Sequence, residues 1–190
     1  MPELRQNPAT KEWVIISTER AKRPEEFGGM EVPEAPEMVK SCPFCPGNEK
    51  VSPGELLAFR TYGTKPDTPG WWIRVVPNKF PALVSQGDLH RQKLDDFFRL
   101  MQGFGQHEVI IESQQHDATI ANMDEKQVEE IFLAYRERYI ALSRDPKFEM
   151  VLMFKNHGKG AGTSLRHPHS QLIACPITPA HVRHRIEEAM

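Results

Sequence analysis

Apolar positions fall in two periods along the chain. Short apolar runs behind punctuating residues predict strands: Trp13-Val14-Ile15-Ile16 after a turn at Asn7-Pro8, WWIRVV at 71–76 closed by Pro77-Asn78, and HEVIIE at 107–112. From Asp124 the period changes to that of a helix. Val128, Ile131, Phe132, Tyr135, Tyr139 and Leu142 recur at helical spacing, with Asp124 as N-cap and Gln127 three places on. Two more strands, 148–155 (FEMVLMFK) and 171–177 (QLIACPI), flank the glycine-rich NHGKGAGTSLR, which predicts an antiparallel pair with a loop at its end. Thr178 and Pro179 then fit the N-cap and first position of a polar helix still running at Met190, the pattern expected of one portion of a longer polypeptide. Residues 28–41 read as loop, with a Pro/Glu-rich stretch at 31–37, and no internal repeat is present. The pattern predicts an α+β domain, an antiparallel sheet with packed helices.

Composition narrows the partners. A chain of 190 residues fits one domain, which at that size buries roughly 70% of the surface of its unfolded chain. The 24 Lys and Arg against 26 Asp and Glu leave a net charge of −2, so there is no broad basic field to hold nucleic acid. No apolar run approaches the roughly 20 residues needed to cross a bilayer, and the opening MPELRQNPATKEW lacks the apolar core of a signal peptide. These features predict a cytoplasmic protein with a small-molecule partner, no nucleic acid and no membrane.

The densest chemistry lies in His167-Pro168-His169-Ser170-Gln171. On a strand, the period of two points His167, His169 and Gln171 to one side, and Pro168 and Ser170 to the other. Just upstream, Gly158, Gly160 and Gly162 let backbone N–H groups close around an anion, and phosphate is the natural guest. Two close histidines are often no more than surface residues; the glycines and Gln171 argue otherwise. Neutral imidazole attacks phosphorus well near pH 7, and its N-phosphoryl adduct is labile enough to turn over. Gln171 cannot protonate a leaving group, but its amide can steady the phosphoryl oxygens. That suits a phosphate leaving group with a pKa near 6 and favours transfer over hydrolysis.

A second cluster is Cys42-Pro-Phe-Cys45, followed by the turn Pro46-Gly47-Asn48. Two thiolates at this spacing supply half of a tetrahedral zinc site, with His116 and His167 the preferred complement. A redox pair of thioredoxin type fits less well, because no βαβ context surrounds the cysteines. If His167 binds the metal, zinc fixes the strand that presents His169 without touching substrate. Cys175 reads as a small buried hydrophobe. Arg20 and Arg23, in ERAKRPEEF, could clamp phosphate oxygens bidentately or form a solvated basic turn. His90, His107, His157, His181 and His184 read as surface or core residues.

Taken together these residues resemble the galactose-1-phosphate uridylyltransferase family, a branch of the histidine-triad superfamily that also includes ADP-glucose phosphorylase. NPATKEWVIIS with RAKRP, CPFC, WIRVVPNKFPAL, HEVIIESQQH, FKNHGKGAGTS and HPHSQ occur in the family's order. The resemblance implies a histidine-triad (HIT-like) fold over 1–190 as an N-terminal catalytic domain, the family's second half lying outside this chain. It implies zinc on Cys42, Cys45, His116 and His167, a nucleotidylated His169, and Gln171 on the transferred phosphate. Arg20, Arg23, Asn78, Asn156 and Ser164, with the loop around Gly162, are expected along the substrate site. The implied reaction is ping-pong uridylyl transfer from UDP-glucose, or another nucleotide sugar, to a sugar 1-phosphate, in a homodimer. Two departures stand out. The common motif HPHGQ has Ser170 at its fourth place here, and Leu165-Arg166 replace an Asn-Pro before it. HEVIIES followed by His116, and LIACPITP after the glutamine, look closer to ADP-glucose phosphorylase, so a phosphorylase acting on ADP-glucose or a dinucleoside polyphosphate is the alternative. A non-catalytic zinc-organised nucleotide-binding module is the alternative of another class, and a nucleic-acid-binding zinc finger fits less well still, because the charge balance is wrong and His116 lies too far from Cys45 for a compact finger.

Overall fold

A computed structural model describes residues 1–18, 20, 40–163 and 165–189. Most of the loop expected over 28–41 therefore lies outside the described residues. Among the described residues, nine strands and two α-helices follow one another: β1 Glu3–Gln6, β2 Trp13–Ile16, β3 Leu57–Arg60, β4 Trp71–Pro77, β5 Gln92–Lys93, β6 Arg99–Gln102, β7 Gln106–Ile111, α1 Glu125–Ser143, β8 Met150–Phe154, β9 His169–Cys175 and α2 Ala180–Ala189. They form a five-stranded sheet in the order β3-β4-β7-β9-β8 and a four-stranded sheet in the order β2-β1-β6-β5. Every pairing within them is antiparallel, and the α+β class expected from the pattern is what the chain adopts.

The larger sheet sorts its residues by the period of two. Ile110 on β7, Leu172 and Ala174 on β9, and Ile73 and Val75 on β4 face α1, where Ile131, Ala134 and Leu142 close the core. Each fully buried Ile or Leu here contributes roughly 1.5–3 kcal/mol of burial. The stripe expected on α1 is only partly right. Phe132 and Tyr139 are 60% and 47% exposed, while Arg138 faces the sheet and grips the buried Glu108 with two bonds of 2.7 and 2.8 Å. The strand brings carboxylates, Glu108 and Glu112, to the helix side, so the helix meets it with donors. Asp124 caps α1 through a 2.8 Å bond from the Gln127 N–H. The Gln127 side chain does not return to the cap, as a full capping box would have it; it donates to the carbonyls of Trp72 and Glu112 at 3.2 and 2.6 Å.

The second sheet was not anticipated. β1, ELRQ, has a single apolar side chain, Leu4, yet that residue is buried with Leu83, Met101 and Cys175 in a satellite core between the sheets. Cys175 is the buried hydrophobe expected, its Sγ donating to the Ile177 carbonyl at 3.1 Å. β9 begins two residues before the expected QLIACPI and ends at Cys175, because the ladder with β7 runs from Ile111↔His169 to Gln106↔Ala174 and Pro176 has no N–H to extend it. α2 also starts one place later than expected: the Pro179 carbonyl accepts from the Arg183 N–H at 3.0 Å, so Pro179 and not Thr178 is its N-cap. No residue of α2 is buried.

Candidate functional site

The sheet's other face carries the chemistry. Because 107, 109 and 111 on β7 and 169, 171 and 173 on β9 share one side, His107, His169 and Gln171 converge there while their neighbours serve the core. A cavity of about 410 Å³ opens above them, lined by His169, Gln171, Asn78, Gly162 and Thr163. Phe44, Val51, Val76, Phe80, Val109 and Leu165 form its apolar walls. Gly162 holds φ +76°, a conformation that glycine adopts without strain. The Thr163 hydroxyl is buried with no hydrogen-bond partner among the described residues.

His169 is 9% exposed. Its Nδ1 lies 2.8 Å from the His167 carbonyl oxygen, so Nδ1–H donates there and Nε2 keeps its lone pair. Burial, the largest influence, holds the imidazole pKa below the ordinary 6.5, with the Lys155 charge acting the same way against the raising effect of the His167 carbonyl and Glu112. The neutral ring is therefore the resident form at pH 7, as a nucleophile requires. The edge of the Phe44 ring packs against it at 5.3 Å between centroids.

Cys42, Cys45, His116 and His167 come together as expected: their ligand atoms all lie within 4.8 Å of one another. Three parts of the chain deliver them, the 42–48 knuckle, the segment after β7 and the approach to β9. Cys45 Sγ is 3.3 Å from His116 Nδ1 and 3.5 Å from His167 Nδ1. A tetrahedron with zinc–ligand bonds of about 2.0–2.3 Å has edges of roughly 3.3–3.8 Å, so the spacing and the donor set both fit a metal of that kind. His167, fully buried, donates Nε2–H to the Ser113 carbonyl at 2.8 Å, which makes Nδ1 the atom that could bind a metal. The knuckle is held from behind. Asn48 Nδ2 donates to the Cys42 and Lys40 carbonyls at 2.8 Å each. The Glu49 carboxylate, 3% exposed, accepts from Trp71 Nε1 at 2.8 Å and from the Gly47 N–H at 3.0 and 3.1 Å.

Ser170, the departure from HPHGQ, points away from the cavity. It donates to Glu112 and accepts from the Tyr135 hydroxyl, and Lys155 pairs with the other Glu112 oxygen. Burial, with Glu112 close by, pushes the Tyr135 phenol up, so this hydroxyl stays a donor. The substitution is absorbed beneath the sheet and leaves the cavity wall as it is.

Of the other residues expected at the site, Asn78 lines the cavity and donates from Nδ2 to Gln171 Oε1 at 3.4 Å. Arg20 sits behind it, its guanidinium 3.2 Å from the Phe80 carbonyl and 3.4 Å from His107 Nδ1. Asn156, half-buried beyond β8, does not line the cavity, nor do Gly158 and Gly160. Arg23 and Ser164 lie outside the described residues. His90, His157, His181 and His184 are exposed, but His107 is 3% exposed and bonded to Gln171. Its place on the cavity face of HEVIIE, two residues from Val109, was the available signal for it. Glu49, Ser113 and Phe44 carried no such signal, since their roles depend on contacts distant in sequence.

Comparison with known proteins gives a consistent picture. Residues 1–179 match the family described as galactose-1-phosphate uridyl transferase, N-terminal domain. An ADP-glucose phosphorylase of Arabidopsis thaliana is 37% identical over 188 residues, 98% of this chain and 52% of the relative. A galactose-1-phosphate uridylyltransferase of Thermotoga maritima is 30% identical over 187 residues, 98% of this chain and 50% of the relative. Among solved structures, a uridylyltransferase superposes with a TM-score of 0.69 at 25% identity, covering 98% of this chain and 50% of that one. The Arabidopsis ADP-glucose phosphorylase with bound ADP-glucose superposes with a TM-score of 0.64 at 34% identity, covering 98% and 52%. The histidine-triad type of fold expected from the motifs is thus the fold observed, and the chain spans about half the length of the curated relatives it matches.

Proposed function

The chain belongs to the galactose-1-phosphate uridyl transferase family, and from that membership we propose that residues 1–190 form the N-terminal catalytic domain of a cytoplasmic, dimeric nucleotidyltransferase. It moves a nucleoside monophosphate from a nucleotide sugar such as UDP-glucose to a hexose 1-phosphate, a step of galactose and carbohydrate metabolism, and the family's second half completes the sugar pocket. The observation that carries the reading is the tautomer of His169. With Nδ1 committed to the His167 carbonyl at 2.8 Å, Nε2 is the atom left to attack.

His169 Nε2 forms a bond to the α-phosphorus, and the bond from phosphorus to the bridging oxygen breaks, so that a sugar 1-phosphate leaves with the electron pair. A phosphate oxygen of the acceptor then attacks phosphorus, and the P–N bond breaks to return neutral His169. No proton need be supplied in either half, because both leaving groups are stable without one. Gln171 steadies the phosphoryl oxygens from beside His169. The apolar wall of Phe44, Val76 and Val109 suits the nucleoside, and Asn78 and Gly162 approach the phosphates. Arg20, Arg23, Asn156 and Ser164 extend the substrate surface. Cys42, Cys45, His116 and His167 would hold a zinc ion whose contribution would be structural, tying the knuckle to the strand that presents His169.

A phosphorylase reading, with inorganic phosphate as acceptor and ADP-glucose or a dinucleoside polyphosphate as donor, is favoured by the 37% identity to the ADP-glucose phosphorylase. Incubating the full-length protein with UDP-glucose, ADP-glucose or dinucleoside tetraphosphate, each with galactose 1-phosphate or phosphate, separates the two. Intact-mass analysis should find one nucleotidyl adduct on the wild type and none on His169→Asn. An adduct that persists on the variant, or bound nucleotide with no adduct on the wild type, refutes the scheme.

A further inference from the structure

We propose that His107 is a positioning residue for nucleotidyl transfer: it fixes the side-chain amide of Gln171 so that the NH2 group, and not the carbonyl, is offered to the transferred phosphate. The inference rests on the role given to Gln171 above. The geometry is a chain of hydrogen bonds with one consistent polarity. The Ala82 backbone N–H, which can only donate, points at His107 Nδ1 at 2.9 Å. An imidazole that accepts at Nδ1 carries its hydrogen on Nε2. That Nε2 lies 2.9 Å from Gln171 Oε1, so it donates to the amide oxygen. The reverse orientation would set the Gln171 NH2 against an N–H.

Asn78 reinforces the same polarity. Its Oδ1 accepts from the Phe80 N–H at 2.9 Å, which turns its Nδ2 toward Gln171 Oε1 at 3.4 Å. The 3.1 Å approach of Asn78 Nδ2 to His107 Nε2 is then a meeting of two donors that share one acceptor. His107 and Gln171 are 3% and 7% exposed, so little water competes for these bonds. With its oxygen occupied, Gln171 has only donors left for the cavity it lines. Without His107 an amide can turn over at small cost and aim a partial negative charge at an anionic phosphoryl group. His107 touches neither the phosphate nor the attacking nitrogen, and its effect runs through Gln171.

The test uses the full-length protein and whichever of UDP-glucose or ADP-glucose the wild type turns over. His107→Met removes the donor at similar volume, and His107→Gln can return an N–H near the position of Nε2. Met should lower kcat about 10- to 100-fold, the range for a mis-aimed transition-state donor, with little change in KM, and Gln should recover most of it. Combined with Gln171→Ala, His107→Met should cost nothing further. Equal losses in both backgrounds, a change in KM alone, or a Gln variant no better than Met would overturn the proposal. Should the Met variant not fold, the wild-type 15N spectrum decides: His107 must show a protonated Nε2 and a bare Nδ1, and the opposite tautomer ends the argument. Absence of any nucleotidyl-His169 in the wild type would instead refute the reading of the site, with the tautomer still open to measurement.

Discussion

Replacing Glu49 by Gln should weaken zinc binding although residue 49 is not a ligand. The Glu49 carboxylate meets two donors, Trp71 Nε1 at 2.8 Å and the Gly47 N–H at 3.0 and 3.1 Å, and glutamine offers a single oxygen for both. One donor would therefore face an NH2 group inside a nearly dry pocket. Losing a bond to a charged acceptor costs about 1.5–3 kcal/mol, partly offset because the neutral amide is easier to bury, so about 2 kcal/mol is the net expectation. If that order is needed to hold the knuckle around the metal, about 2 kcal/mol corresponds to roughly 30-fold in affinity. Losses of 10- to 100-fold are typical when the groups behind metal ligands are altered. Competition against a chromophoric zinc chelator reads the affinity, and urea unfolding of the zinc-loaded protein reads the stability. Trp71→Phe removes the indole donor alone and should couple with Glu49→Gln, the double variant losing less than the sum. An unchanged zinc affinity would refute the reasoning, whatever happened to stability.

Chelating the metal should disorder the knuckle, the 112–116 segment and the start of β9, read as faster amide exchange there; structural zinc in small modules contributes roughly 10–16 kcal/mol. Unaltered exchange would show the four ligands to be arranged without need of metal. A Cβ added at Gly105 would stand 2.5 Å from the Ala174 carbonyl oxygen and 2.7 Å from Leu83 Cδ1, so Gly105→Ala should cost about 1–3 kcal/mol by urea unfolding. Burial raises the Cys175 thiol above its ordinary 9.0, with Glu149 adding to the rise. Its alkylation should therefore be slow at pH 8 and climb only above pH 9, whereas Cys42 and Cys45 should react at pH 8 once zinc is withdrawn. Rapid labelling of Cys175 in the folded protein would contradict its place in the satellite core.

What could be read in advance, and what could not, follows from where the physical signal resides. Four of the five strands of the main sheet announce themselves through runs such as WWIRVV and HEVIIE because burial there is continuous in sequence, whereas β3, the short LAFR at 57–60, passes unread and β1, buried through the single side chain of Leu4, leaves no periodic trace. On α1, Phe132 and Tyr139 look like core residues at helical spacing, but Glu108 on the facing strand recruits Arg138 instead, and no local rule foresees a choice made by the partner strand. The two thiols and two imidazoles were legible because metal-ligand chemistry limits the residue types and their spacing. His107 was visible as a residue but not as a participant, since its role depends on a register that places it opposite Ile173, one diagonal step from Gln171.

The same alternation explains how one strand serves two ends. On β9, His169 and Gln171 face the cavity while Ser170 and Leu172 face α1, so the cavity-lining residues are held by neighbours on the opposite side of the strand. Ser170 in place of glycine illustrates the separation. Its hydroxyl joins Tyr135, Glu112 and Lys155 on the helix side, and Lys155 also reaches the His169 carbonyl at 3.4 Å. A residue that departs from the common motif thereby anchors the backbone that carries His169. Ser170→Gly should accordingly cost about 1 kcal/mol by removing the buried hydroxyl bridge, the Tyr135 hydroxyl keeping its 3.2 Å approach to Glu112 Oε1, measured by urea unfolding. A variant as stable as the wild type would mean that the network beneath the strand contributes nothing to holding it.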